Sequence, residues 1–106
     1  MIDISKLDCI GYFSVDSGQA IIGDPCYIKD NWQDDYTDFD EYKNSEGQYG
    51  YLGSCHATLI NGHGVLGNGL AIAVTTGHGD GNYPVYVEYN ETGHIAKVVI
   101  DFFEGE

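Results

Sequence analysis

Apolar positions in the first quarter of the chain fall in short runs separated by turn formers. Ile10, Tyr12-Phe13 and Val15 alternate imperfectly with polar neighbours, Asp16-Ser17-Gly18 interrupts them, and Ala20-Ile21-Ile22 follows. Short apolar runs on either side of a Ser-Gly turn predict a β-hairpin. Gly23-Asp24-Pro25 ends the second strand, because Pro25 has no amide proton and biases Asp24 towards an extended backbone. A bend is expected there.

The pattern changes over residues 30–46, which hold seven acidic side chains. Trp32, Tyr36 and Phe39 are spaced by four and three, which places them on one helical face, with Tyr42 or Lys43 continuing it. Asp30 can serve as N-cap, Asp34 and Asp35 favour the positive end of the helix dipole, and Asn44 to Gly47 supply the stop. This predicts one short amphipathic helix with its aromatic side laid over a sheet. Coil with acidic turns is the alternative.

From Tyr49 onward the period is that of strands. His56 to Ile60 is expected as a strand, Asn61-Gly62-His63-Gly64 as a hairpin turn, and Val65-Leu66 as a short strand. Gly67-Asn68-Gly69 turns again, Leu70 to Thr76 is a clear apolar strand, and Gly77 to Asn82 is a second glycine-rich loop. Tyr83, Val85, Val87 and Tyr89 share one face of the next strand. Asn90-Glu91-Thr92-Gly93 then turns into a last strand from His94 to Phe103. The pattern predicts a mainly β, single-domain sandwich or small barrel of about six to seven strands with one short helix. One domain covers residues 1–106, with an acidic helical or loop insertion near 30–47.

A length of 106 residues suits a single core. Charge narrows the partners. Seventeen Asp and Glu face four lysines (Lys6, Lys29, Lys43, Lys97) and no arginine, a formal charge of −13. Binding to nucleic acid depends on cationic side chains that release counterions, so direct nucleic-acid binding is excluded. The acidic surface keeps the protein in solution, or it imitates nucleic acid towards a basic partner. Apolar residues at 42% and aromatics at 13% are too many for a disordered acidic tail. No apolar run approaches the ~20 residues that span a bilayer, and no signal-peptide pattern follows Met1. Cys9, Cys26 and Cys55 are odd in number and widely spaced, which fits a reducing cytoplasm.

Several constellations carry candidate chemistry. An EF-hand loop begun at Asp38 would put Lys43 where the sharp turn needs glycine and Tyr42 where an oxygen ligand belongs, so it is rejected. Cys26, Cys55-His56, His63 and His78 have the right side chains for zinc but lack tight ligand pairs, and no metal is expected. Cys26 with His78 as base and Asp80 or Asp24 as orienter would make an activated thiol, and His78 with Asp80 a general acid–base pair; a cysteine acting as a small hydrophobe is the commoner alternative. Gly62-His63-Gly64 and Gly77-His78-Gly79-Asp80-Gly81 can present backbone amides to an anion, and tyrosines can stack on a base. Equally, the glycines can make tight hairpins and the tyrosines cover sheet faces. Neither loop matches a phosphate- or dinucleotide-binding fingerprint, and no cofactor is expected. The expected ligand-binding residues are Asp24, Tyr27, His63, Gly77, His78, Gly79, Asp80 and Tyr83.

Val15-Asp16-Ser17-Gly18 followed by Ile22-Gly23-Asp24-Pro25-Cys26-Tyr27, then Gly79-Asp80-Gly81-Asn82-Tyr83-Pro84-Val85-Tyr86-Val87, with Gly93-His94-Ile95-Ala96 and Ile100-Asp101-Phe102, resembles a family of small phage and prophage proteins. The resemblance covers both ends of the sequence and implies a β-rich fold in a bacterial host cytoplasm. By analogy with small viral accessory factors, it implies a counter-defence protein that binds and sequesters a small nucleotide-like signal, as a homo-oligomer. One alternative is an acidic decoy that lays Asp30 to Glu46 on a basic host protein. The other is a small hydrolase of nucleotide signals using His78 and Asp80.

Overall fold

In the computed structural model, which describes residues 3–33 and 46–102, the β pattern forms six strands in two antiparallel three-stranded sheets. They are β1 (Asp8–Val15), β2 (Gln19–Gly23), β3 (His63–Leu66), β4 (Ala71–Thr75), β5 (Gly81–Tyr89) and β6 (Ile95–Ile100). Two short helices, α1 (Ile28–Asn31) and α2 (Tyr51–Ala57), and two 3-10 turns, Ile4–Lys6 and Pro25–Tyr27, complete the described elements. The mainly β expectation holds, and among the described residues neither sheet closes into a barrel.

The chain divides into two compact units. One joins its two ends, up to Gly18 and from Gly77 onward, and carries the sheet β1-β5-β6. Phe13 lies opposite Tyr83 in the β1–β5 register, and Val87 opposite Val98 in β5–β6. Tyr83 and Val87 are fully buried. The Tyr83 ring packs 6.2 Å from Phe13 and 5.3 Å, edge-on, from Phe102, both favourable aromatic geometries. The alternation expected for Tyr83, Val85 and Val87 is thus a core face, while Tyr89 at the strand end is half exposed.

The second unit, Gln19–Thr76, carries the sheet β2-β4-β3 and both helices. Its core is Tyr49, Leu66, Ala71 and Ala73, with Ile21, Trp32, Ala57 and Leu70 packed around them. Trp32 meets Tyr49 edge-on at 5.2 Å, and the Gln33 amide donates to the Tyr49 carbonyl at 2.7 Å. The opposite face of this sheet bears a row of Ile22, Ile72 and Val65, register neighbours that are all exposed.

Four expectations are corrected. β1 and β2 do not form a hairpin: β1 pairs with β5 and β2 with β4, so Asp16-Ser17-Gly18 hands the chain from one sheet to the other. His56 to Ile60 is not a strand. His56 and Ala57 end α2, where the Ser54 hydroxyl donates to the Gly50 carbonyl at 2.8 Å and the Thr58 hydroxyl to the Ser54 carbonyl at 2.9 Å. These back-bonds satisfy helical carbonyls, and Leu52, Gly53 and Ser54 are buried beneath them. Asn61-Gly62 therefore follows a helix instead of joining two strands. Asp30 is inside α1 and not its N-cap, because the helix starts earlier and ends where Trp32 turns extended. The rest of the expected amphipathic helix, with Tyr36 and Phe39, lies outside the described residues, as does Phe103.

Candidate functional site

The expected site residues fall on two different units. Asp24, Cys26, Tyr27 and His63 belong to Gln19–Thr76; Gly77, His78, Gly79, Asp80 and Tyr83 belong to the unit of the chain ends.

The bend after β2 is built as the sequence suggests. Asp24 caps a single 3-10 turn, Pro25–Tyr27, by accepting from the Cys26 amide at 3.0 Å, with Pro25 in the first position, where a missing amide proton costs nothing. Asp24, Cys26 and Tyr27 are all exposed. Protein atoms displacing water push the Cys26 thiol above its ordinary pKa, and the neighbouring Asp24 adds to this by accepting the thiol's hydrogen bond and by its charge. An activated nucleophile needs the opposite shift. The surroundings of Cys26 thus favour the protonated thiol and lend the nucleophilic reading no support. His63, the first residue of β3, is exposed on the same sheet face as Val65.

The loop Gly77 to Asp80 has left-handed backbone at Gly77 (φ +59°) and Gly79 (φ +92°). It is fastened from beneath, since the Tyr83 hydroxyl donates to the Gly79 carbonyl at 2.6 Å. Tyr83 is therefore not a stacking platform: its ring is wholly buried between Phe13 and Phe102, with no face open to a base. His78 and Asp80 are exposed. The carboxylate of Asp80 opposes an anion at this loop, and the loop itself carries no lysine.

A cleft in the second unit, of about 330 Å³, was not expected as a site. It lies where the C-terminal end of α2 meets β3. His56 and Ala57 come from the helix, Ile60 and Asn61 from the following turn, Val65 from β3, and Glu46 from the segment preceding α2. Gly64 makes the meeting close: a Cβ there would stand 2.8 Å from that of Ala57. The lining combines an apolar frame with three hydrogen-bonding side chains. Glu46 accepts when ionised, while His56 and Asn61 can each donate and accept. The volume is at the lower end of small-molecule pockets, roughly 300–1,000 Å³. Of the lining residues the sequence had offered His56 as a metal ligand, Gly64 within an anion-binding loop and Glu46 as the end of the acidic decoy segment, but not together. Among the described residues no three His, Cys, Asp or Glu side chains are grouped to hold a metal ion. No helix among them is long and apolar enough to cross a membrane.

No curated protein and no solved structure matches the chain. Residues 3–100 match the model of one family, described as "Protein of unknown function (DUF4241)".

Proposed function

The chain belongs to the DUF4241 family, and we propose from its cleft that it binds a small nucleotide-like ligand without transforming it. The observation that carries this reading is the set Glu46, His56 and Asn61 within an apolar frame of about 330 Å³. A carboxylate, an imidazole and a carboxamide match the donors and acceptors on the edge of a nucleobase, and Ile60, Ala57 and Val65 supply apolar contact. Among the described residues no lysine lines the cleft, so there the base and sugar supply the affinity and the phosphates add nothing beside Glu46. The likeness to phage proteins supports a setting in the bacterial host cytoplasm, where such a protein would sequester a nucleotide signal.

Titration calorimetry with a panel of nucleosides, their monophosphates and cyclic dinucleotides tests the reading. One member binds, its unphosphorylated form at least as tightly, and His56→Ala weakens it roughly tenfold, the loss of one or two net hydrogen bonds. No heat across the panel sinks the proposal.

The formal charge of −13 without an arginine favours a second reading, the acidic decoy on a basic host protein. Binding would then fall steeply with salt and on neutralising Asp34, Asp35, Asp38 and Asp40, which lie outside the described residues.

A further inference from the structure

The sequence holds two Asn-Gly pairs, Asn61-Gly62 and Asn68-Gly69. In such pairs the glycine's backbone nitrogen meets little steric hindrance when it attacks the asparagine carboxamide. We propose that Asn61 is a site of spontaneous covalent change, losing its amide to become aspartate and isoaspartate well ahead of Asn68. The Gly62 nitrogen attacks the carboxamide carbon of Asn61 and forms a new bond to it, closing a succinimide ring. The bond from that carbon to Nδ2 of Asn61 breaks, and ammonia leaves carrying the proton given up by the Gly62 amide. Water then adds to either ring carbonyl and reopens the ring. An amide and water have become a carboxylic acid and ammonia, and no oxidant or reductant is needed.

The structure separates the two pairs by what holds the attacking nitrogen. The turn that follows α2 closes loosely on Gly62, and among the described residues no well-formed hydrogen bond holds the Gly62 N–H, while its carbonyl accepts from the Thr75 amide at 2.8 Å. The Asn61 side chain is exposed, and its carboxamide has no hydrogen-bond partner among the described residues. At the other pair the Gly69 N–H donates to the Leu66 carbonyl at 3.1 Å, inside the turn whose flanking residues Leu66 and Ala71 are paired in β3–β4. That bond and the turn must open before the Gly69 nitrogen can attack. Opening costs more free energy there than at the loosely closed turn of Gly62.

The reactive dipeptide is also one that the fold enforces. Gly62 has φ +80°, and a Cβ there would lie 3.2 Å from the Thr75 hydroxyl. A larger residue, which would slow the reaction, is strained at this position. The product matters because Asn61 lines the cleft with Glu46 and His56, so deamidation places a second carboxylate there. Isoaspartate would in addition route the backbone through the former side chain, just before the Gly62–Thr75 hydrogen bond. The effect on ligand affinity rests on the cleft being the binding site; the modification itself does not.

The test is peptide mapping with isoaspartate detection on the folded full-length protein, sampled during incubation in mildly alkaline buffer. Asn61 should lose its amide roughly tenfold faster than Asn68, about what one held backbone hydrogen bond is worth. In urea the two rates should converge. An Asn61→Gln variant should abolish the leading product and leave the Asn68 rate unchanged. Equal rates in the folded protein, Asn68 in the lead, or an Asn61 that survives folded while the unfolded protein loses it would each overturn the proposal.

Discussion

Displaced water raises the pKa of the Cys26 thiol, and Asp24, which ties the Cys26 amide at 3.0 Å, adds to that rise, so the residue that shapes the turn also bears on the chemistry of the cysteine. The sequence displays a cysteine near a bend and a histidine elsewhere, and residue types alone allow a thiol–imidazole pair. What the linear sequence does not display is which ionisable group lies next to the sulfur. A thiol whose pKa is raised holds its proton to higher pH, so its nucleophilic thiolate appears later as pH rises. Wild-type Cys26 is therefore expected to alkylate slowly near neutral pH, with its rate profile displaced to the alkaline side. Asp24→Asn keeps an oxygen to cap the turn but removes the charge. It should move the profile to lower pH and raise the iodoacetamide rate near neutrality several-fold, read by peptide mapping at Cys26. An unmoved profile would show that Asp24 has no hold on the thiol. Tyr83 teaches the same lesson: a tyrosine in a glycine-rich neighbourhood reads as a stacking surface, yet its ring is buried and its hydroxyl holds Gly79.

At the scale of elements, the sequence displays period but not partnership. β5, with Tyr83 and Val87 facing the core, was legible because a two-residue period survives a nine-residue strand. The turn at Gly67-Asn68-Gly69 was legible because β3 and β4 are adjacent in sequence and do pair. The Ser-Gly turn after β1 carried the same local signal, but β1 finds its partner in β5, beyond the whole of the second unit. α2 was missed because seven residues with an internal glycine carry too little helical periodicity to display it. The cleft was missed with it, since it exists only where α2 ends against β3. Gly53 tests why that helix has its sequence. By helix propensity alone, alanine should stabilise the position by about 1 kcal/mol. But Gly53 is buried, and a methyl group there would run into the backbone carbonyl of Gln48, which no side-chain rotation relieves. Gly53→Ala should therefore destabilise the protein by about 3 kcal/mol, at the upper end of overpacking costs, in urea unfolding followed by circular dichroism. A gain in stability would mean that the close approach of Gln48 to α2 is not maintained.

Charge acts on the whole molecule, because thirteen net negative charges on 106 residues repel one another however they are arranged. Among the described residues, Lys97 pairs with Glu88 at 3.0 Å across β5–β6, but this pair is exposed at both ends and offsets little of the repulsion. Screening should therefore stabilise the fold. Between roughly 0.01 and 0.15 M sodium chloride the Debye length falls from about 30 to about 8 Å, which removes most repulsion between distant surface charges. A relief of about 1 kcal/mol would raise the melting temperature by roughly 4–8 °C for a domain of this size. Chloride is the appropriate salt, since sulfate strengthens apolar burial by itself. A melting temperature indifferent to chloride would mean that the repulsion is already relieved, as by bound cations or an unlike-charged partner. The same titration separates the two functional readings. A ligand held by Glu46, His56 and Asn61 through hydrogen bonds and apolar contact should keep its affinity as salt rises. A basic protein held by the acidic surface should lose affinity over the range in which the free protein gains stability.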